Sequence, residues 1–512
     1  VIGGDEPTER NYIGWNDGPG IRVRGPSLTP LGTEPRIEGN WIGLARDITT
    51  SARPNTTGIL LSAGERITIG GTTPAQGNVV SGNAAHGIVN ISSAGIALGG
   101  LLVQNNIIGL NPARTFVLPN GSDGIALLAD GNAAIRDNVI SGNAVQGIYL
   151  QGSSAVVVEN NVLGLRGSAN TANDNTAAGN GQSGIWIDGS PGCTVAGNRI
   201  AANGGFGVRV SGDAADGAVV KGNLIGLSNG NALRPNGVGV FVEGGADGTM
   251  VGGAGAGEGN TISGNTFEGV RITGAGTDGG VVRNNRIGTA PAGSGDLGNG
   301  SRGVRVDNGA GTTEILDNLI SGNGSDGVSF EASTGSPKVQ GNTIGLDAAG
   351  NPLPNAQSGV AIAAASTGVL VGGGSVPNTI AGNANYGVYI ADAGTSANTV
   401  QGNLIGGSGG RGNLLAGVIL RNGAHDNLVD ANTIVGQAAA PGVEIAGAST
   451  RLNSVRGNRI GIDATEAVVA NQVGVRLGEG AHDNAIGSGG RNTISGNTGA
   501  GVLLSGAGSF NT

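Results

Sequence analysis

The chain has 512 residues, of which 105 are glycine, 17 are proline and only 3% are aromatic. That much glycine without an every-third spacing excludes collagen, so little proline excludes a proline-rich coil, and so few rings exclude an aromatic core. Its 27 basic and 36 acidic residues leave a net charge of −9, which argues against a nucleic-acid partner because no basic stripe is present to neutralise phosphates.

Two of the basic residues are lysine (Lys221 and Lys338) and the rest are arginine. Cys193 is the one cysteine, so no intrachain disulfide can form. No run of 18 apolar residues occurs, and no membrane insertion is expected.

The chain enters at Val1-Ile2-Gly3-Gly4, already inside a repeat. Its landmark is an asparagine followed two residues later by Ile, Leu or Val. It falls at Asn11, Asn40, Asn78, Asn106, Asn138, Asn161, Asn198, Asn223, Asn260, Asn285, Asn318, Asn342, Asn378, Asn403, Asn432, Asn458 and Asn492. Those seventeen positions give a period of about 30 residues, which implies stacked repeats in one continuous domain over 1–512. The repeat is still running at Thr512, so the native molecule is expected to continue past both ends, as a longer chain or as head-to-tail subunits.

Each repeat carries three strand signals. The first is an aliphatic residue three positions before the asparagine: Val103, Val158, Val220, Ile315 and Val400. The second is the aliphatic residue just after it. The third is a glycine followed by alternation, as in Gly124-Ile125-Ala126-Leu127, Gly207-Val208-Arg209-Val210 and Gly387-Val388-Tyr389-Ile390. Alternation of period two is the strand signature, and such short β-branched runs do not make helices. Short strands repeated in one direction stack in parallel register as a β-helix. About seventeen turns spaced by 4.7–4.9 Å would make a rod of roughly 80 Å.

The asparagine column predicts a ladder of side-chain amides, each bonding its counterpart one turn away. Asn106, Asn138, Asn161, Asn198, Asn223, Asn260, Asn285, Asn318 and Asn342 are its central rungs. A sharp corner there would place asparagine in the left-handed backbone region that it tolerates. A partial second ladder follows alternate turns at Asn83, Asn143, Asn265, Asn323, Asn383 and Asn497, each in a Gly-Asn pair.

Two kinds of turn alternate from Asn40 onward. One reads Asn-x-Ile-Gly, as at Asn223; the other reads Asn-x-Ile-Ser-Gly-Asn, as at Asn260. Gaps after the first kind are 29–38 residues and after the second mostly 23–28, so every second turn should eject a longer loop. Pro119-Asn120, Pro235-Asn236, Gly298-Asn299 and Pro354-Asn355 belong to those loops. An Ile/Val-Gly-Gly motif at Ile2, Ile69, Val251 and Val371 reads as an insert.

This cycle of Asn-x-Ile-Gly-Leu, loop, Gly-Val-x-Ile and Asn-x-Ile-Ser-Gly-Asn resembles the right-handed parallel β-helix repeats of the pectate-lyase-like superfamily. It is similar to those in large secreted or surface-anchored bacterial proteins. The resemblance implies an all-β, right-handed parallel β-helix of about 17 turns at an extracellular or cell-surface location. Because that superfamily holds lyases, hydrolases, epimerases, tailspikes and non-catalytic adhesins, function has to be read from a site.

The outward residue of the third strand reads Tyr149, Trp186, Arg209, Phe241, Arg271, Arg305 over consecutive turns. Aromatic faces stack on sugar rings and arginine forks bind carboxylates, so this column is the candidate for binding an acidic polysaccharide. The alternative is a solvated charge ladder between neighbouring turns. The next outward position supplies Asp188, Glu243, Asp307 and Glu331, weak candidates for a catalytic carboxylate pair. No acidic cluster marks a metal site, and neither metal nor cofactor is expected. Asn120-Gly121-Ser122-Asp123-Gly124 and Asn323-Gly324-Ser325-Asp326-Gly327 read as turns. His86, His425 and His482 are scattered. A second outward column, Tyr12, Trp41, Val79, Ile107, Val139, Val162, is apolar and calls for a cover, either the chain's own loops or a partner.

These features favour a non-catalytic extracellular scaffold, the body of an adhesin or filament that binds polysaccharide or itself. The competing expectation is a polysaccharide-active enzyme, a lyase, hydrolase or epimerase, or a glycan-binding tailspike-like protein, working on the Tyr149–Arg305 stripe.

Overall fold

The computed structural model describes residues 1–24, 35–46, 50–62, 66–91, 100–167 and 176–506. They form two compact units, Val1–Met250 with Gly264–Thr266, and Val251–Ser263 with Phe267–Thr512. Apart from one 3-10 turn at Pro74–Gln76, the regular structure of the described residues is all strand.

Each turn contributes one strand to each of three parallel sheets. In the first unit a representative turn has Leu102–Gln104 in the first sheet, Ile107–Ile108 in the second and Ile125–Leu128 in the third. Identical positions stack in register: Val103 pairs with Ile69 and Ile135, and Ile125 pairs with Ile88 and Ile148. The second unit repeats the arrangement with Lys338–Gln340, Thr343–Ile344 and Val360–Ala363. Strand alternation sends Val103, Ile108, Ile125 and Leu127 inward, all four fully buried. At roughly 1.5–3 kcal/mol for each fully buried aliphatic side chain, the core is built turn by turn.

The predicted ladder is present in both units. It runs from Asn11 to Asn223 in the first and from Asn260 to Asn492 in the second. Asn106 shows the pattern. Its backbone N and Nδ2 donate to Asn138 Oδ1 at 2.9 and 3.0 Å, and Nδ2 also donates to Ile69 O at 2.9 Å. The left-handed residue is not the ladder asparagine but the one before it: Asn105 (φ 57°), Asp137 (58°), Asn160 (56°), Asn284 (59°) and Asp317 (56°). The chain bends one residue early, which leaves the ladder amide free to point inward.

The second ladder is fuller than alternate turns. In the first unit it runs Asn16, Asn55, Asn83, Asn120, Asn143, Asn180, Asn203, Asn236 and Asn265. In the second it runs Asn299, Asn323, Asn355, Asn383, Asn413, Gln437, Asn471 and Asn497. Pro-Asn and Gly-Asn pairs of the long loops, such as those at Asn120, Asn236, Asn299 and Asn355, supply several of the missing rungs. A short third ladder, Asn398 to Asn484, occupies the remaining corner of the second unit.

The Ile/Val-Gly-Gly motif is likewise not an insert. Ile69 and Val371 are the inward residues of first-sheet strands Thr68–Gly70 and Leu370–Gly372. The extra residues follow them, and glycine is required at that exit. Gly372 has φ +96° and a Cβ there would lie 1.9 Å from Gln401 O.

One polar intrusion breaks the first unit's aliphatic column. Asn90 stands in register between Leu61 and Leu127 and donates to Asp130 Oδ2 at 2.7 Å. Burial pushes the Asp130 carboxyl up to about 6, against the opposing pull of the Asn90 and Gly131 hydrogen bonds. The native state therefore keeps a proton that the unfolded chain, near the ordinary value of about 4, has released. Stability from this group is greatest below about pH 4 and falls as pH rises to about 6, by up to about 3 kcal/mol. Asp130→Asn is expected to flatten that slope in urea titrations between those pH values, and an unchanged slope would refute the assignment.

Candidate functional site

The third sheet presents its outward side chains as a lateral face in each unit. In the first, Tyr149, Trp186, Arg209 and Phe241 are in register on adjacent strands. Their polar ends are bound to their neighbours. Tyr149 Oη donates to Asp188 Oδ2 at 2.9 Å, and Trp186 Nε1 donates to Ser211 Oγ at 2.7 Å. Burial, then the Asp188 hydrogen bond, pushes the Tyr149 phenol up, so it stays neutral. The Arg209 guanidinium lies 4.3 Å from the Trp186 ring centroid and pairs with Glu243. Phe206 stacks on Phe241 at 4.5 Å. The apolar parts of these residues pack on one another, and only part of each is left for a ligand.

In the second unit the stripe is an ion-pair network. Arg271 Nη2 meets Asp307 Oδ2 at 2.9 Å. Arg305 reaches Asp307 at 2.8 Å, Glu331 at 2.6 Å and Glu268 at 3.5 Å, and Arg302 reaches Glu331 at 2.8 Å. Asp188, Glu243, Asp307 and Glu331 thus all accept hydrogen bonds or ion pairs from neighbouring turns.

Beyond Arg305 the outward column reads Ser329, Ala361, Tyr389. Two small residues between an arginine and a tyrosine open a cleft of about 520 Å³. Arg302, Asp326 and Glu331 line one side, and Tyr386, Tyr389, Asp392 and Arg421 line the other. Tyr386 and Tyr389 stack with centroids 5.6 Å apart. Phe330, fully buried and inward-pointing, contributes to the base. Asp326 Oδ1 accepts from Ser358 N at 2.9 Å. Burial pushes its carboxyl up, opposed by that hydrogen bond and by Arg302. The Tyr389 phenol is also pushed up, first by burial and then by Asp392.

Sequence reasoning missed Tyr386 and Arg421, and it placed Tyr389 only in a strand and Asp326 only in a turn. The available signal was the loss of side-chain bulk at Ser329 and Ala361, one strand beyond the end of the charged stripe.

The remaining candidates bond to groups within the fold. Asp123 Oδ1 accepts from Gln146 N at 2.9 Å, as Asp326 does from Ser358, so both Asn-Gly-Ser-Asp-Gly turns brace the next turn. His86 lies 3.2 Å from Asp123, while His425 and His482 pair with Asp426 and Asp483 at 2.7 and 2.8 Å. Among the described residues no group of three His, Cys, Asp or Glu could hold a metal, and no helix is long and apolar enough to cross a membrane. The chain's own residues cover part of the apolar column: Val79 packs with Leu44 and Leu118, and Val139 and Val162 pack with Leu110, Leu165 and Ala178, while Trp41 and Ile107 are half-buried and Tyr12 is exposed.

A family model described as a right handed beta helix region matches residues 52–233, 162–344 and 227–405 in overlapping segments. The chain belongs to this right-handed β-helix family. No curated protein sequence matches it. Similar solved structures include the A-module of an Azotobacter vinelandii mannuronan C-5 epimerase, 16% identical over 89% of this chain and 90% of that one, TM-score 0.28. The Dettilon tailspike protein is 17% identical over 90% of this chain and 66% of its own, TM-score 0.34. An alginate lyase from Paenibacillus sp. str. FPU-7 is 15% identical over 69% and 91%, TM-score 0.31. Likeness at this level carries no statement about activity.

Proposed function

We propose that this chain is an extracellular or cell-surface β-helix scaffold that binds polysaccharide in the Tyr386–Tyr389 cleft. The observation that carries this reading is the stacked tyrosine pair facing Arg302 and Asp326 across a base of small residues. Flat aromatic faces suit the apolar faces of pyranose rings. Arginine forks and carboxylates around them suit sugar hydroxyls and acidic groups. The cleft is of ligand-binding size, and its place on a lateral face gives a chain-like ligand room to run past it. Self-association of the scaffold belongs to the same proposal.

A glycan array carrying neutral and acidic polysaccharides tests it. The parent is expected to bind, and Tyr386→Ala and Tyr389→Ala are each expected to weaken binding about tenfold, equivalent to about 1.4 kcal/mol. Arg476→Ala, on the same face but outside the cleft, should leave binding unchanged. Equal losses in all three variants, or no binding by the parent, would contradict the proposal.

One observation favours a second reading as a polysaccharide-active enzyme. Asp326 and Glu331 line the same cleft, Asp326 held toward its protonated form by burial and Glu331 flanked by Arg302 and Arg305. Two carboxyl groups in unlike surroundings are what a general acid and its partner require. New reducing or unsaturated ends on a bound polysaccharide, lost in Asp326→Asn, would establish that reading in place of the scaffold.

A further inference from the structure

The second unit carries another groove, on the face of its two-residue strands. Its base follows the register Arg286, Leu319, Thr343, Thr379, Leu404 over five successive turns, a run of roughly 19 Å at the usual strand spacing. The cavity measures about 620 Å³. Two projecting loops form one rigid wall. Asp347 Oδ1 accepts from Ala349 N and Asn351 N at 2.9 and 2.8 Å, and Ala348 N donates to Gly293 O at 2.9 Å, which ties the loops together.

The charge in this groove is unbalanced. Arg286 and Arg411 both line it, both are exposed, and neither has a carboxylate partner among the described residues. Arg271, Arg283, Arg302 and Arg305, by contrast, are each paired. Of the two acids of the lining, Asp317 is paired with Arg283 at 2.9 Å, whereas Asp347 bonds neutral donors of its own loop and keeps its charge, so the groove is left net positive. Two free guanidinium forks over a base of two threonines flanked by two leucines define a site for an extended anion.

We propose that this groove binds an anionic oligosaccharide, whose carboxylate or sulfate groups are held by Arg286 and Arg411. The base favours a sugar chain over an acidic peptide. Its strands are interior members of a parallel sheet, with main-chain donors and acceptors bonded to the turns on either side, so no open edge is offered for a peptide to extend. Leu319 and Leu404 can face the apolar side of a pyranose, and Thr343 and Thr379 can bond its hydroxyls.

Calorimetry with the whole chain tests this, using a galacturonate oligomer, a heparin-derived oligomer, a neutral galactan oligomer and poly-glutamate as probes. At least one of the two anionic sugar probes is expected to bind, and the tighter one identifies the anion as carboxylate or sulfate. The double variant Arg286→Gln/Arg411→Gln should lower that affinity at least tenfold, and both substitutions are at exposed positions that leave the core untouched. Tyr389→Ala, in the cleft on the other face, should leave it unchanged, so failure here and failure of the cleft reading are separate results. Undiminished affinity in the double variant, loss of affinity in Tyr389→Ala, poly-glutamate or neutral galactan binding as tightly, or no binding of either anionic sugar would each overturn the proposal.

Discussion

Asn318→Ala is expected to destabilise the second unit by about 2–6 kcal/mol, at 1–3 kcal/mol for each buried group left unsatisfied. Asn318 Oδ1 accepts from Asn285 N and Nδ2 at 2.9 and 3.0 Å, and its Nδ2 donates to Val282 O and Asn342 Oδ1 at 2.8 and 2.9 Å. Alanine removes all four bonds. Asn285 keeps a partner for Nδ2 in Val251 O, but its backbone N–H is left with none inside a corner that water does not reach. Val282 O loses its side-chain donor as well. Because solenoid stability is close to a sum over neighbouring turns, exchange protection should fall first in the turns next to Asn318. A denaturation midpoint equal to the parent's would show that the ladder contributes nothing.

Phe330→Ala should cost about 3–5 kcal/mol, the range for truncating a buried phenylalanine. Phe330 is fully exposed to neighbours and not to solvent: it sits in register between Val306 and Ile362 in the inward column of the third sheet. Its ring takes the place that aliphatic residues fill on adjacent turns, directly beneath the cleft. Removing it leaves a void on the far side of Ser329 and Ala361, so stability and glycan affinity should fall together. Phe330→Leu, which refills most of the volume, should recover most of both. A loss below about 1 kcal/mol in the alanine variant would mean that the core collapses around the site.

The fold was legible in the sequence because its main signal is invariant in frame. Every turn places an asparagine two residues before an aliphatic one, and inward positions such as Val103 and Ile108 keep a fixed distance from it. The second ladder was half legible for a physical reason. Its rungs follow loops of alternating length, so Asn120 and Asn355 arrive in Pro-Asn pairs far from the motif that carries Asn143 and Asn383, although their amides stack in one column. The corner residue was misassigned because asparagine suits both a left-handed bend and an amide ladder. The chain divides those tasks between neighbours, as in Asn105 and Asn106.

The lateral face was only partly legible. Residues of the charged stripe can be placed from alternation alone, but their partners come from other turns: Arg305 meets Glu331, 26 residues on, and Arg271 meets Asp307, 36 residues on. The cleft is made by missing bulk at Ser329 and Ala361, with Tyr386 added from the first position of the strand that carries Tyr389. A column of chemically active residues points away from such a place, because alanine carries no functional signal of its own.

Polysaccharide held in the Tyr386–Tyr389 cleft should shield the strands that line it. Hydrogen–deuterium exchange of the whole chain, with and without a glycan selected on the array, tests it most directly. Protection is expected to concentrate in the strands Val328–Glu331, Val360–Ala363 and Tyr386–Ala391, with the first unit unchanged. Protection centred instead on the Tyr149–Phe241 strands, or spread evenly over every turn, would contradict it.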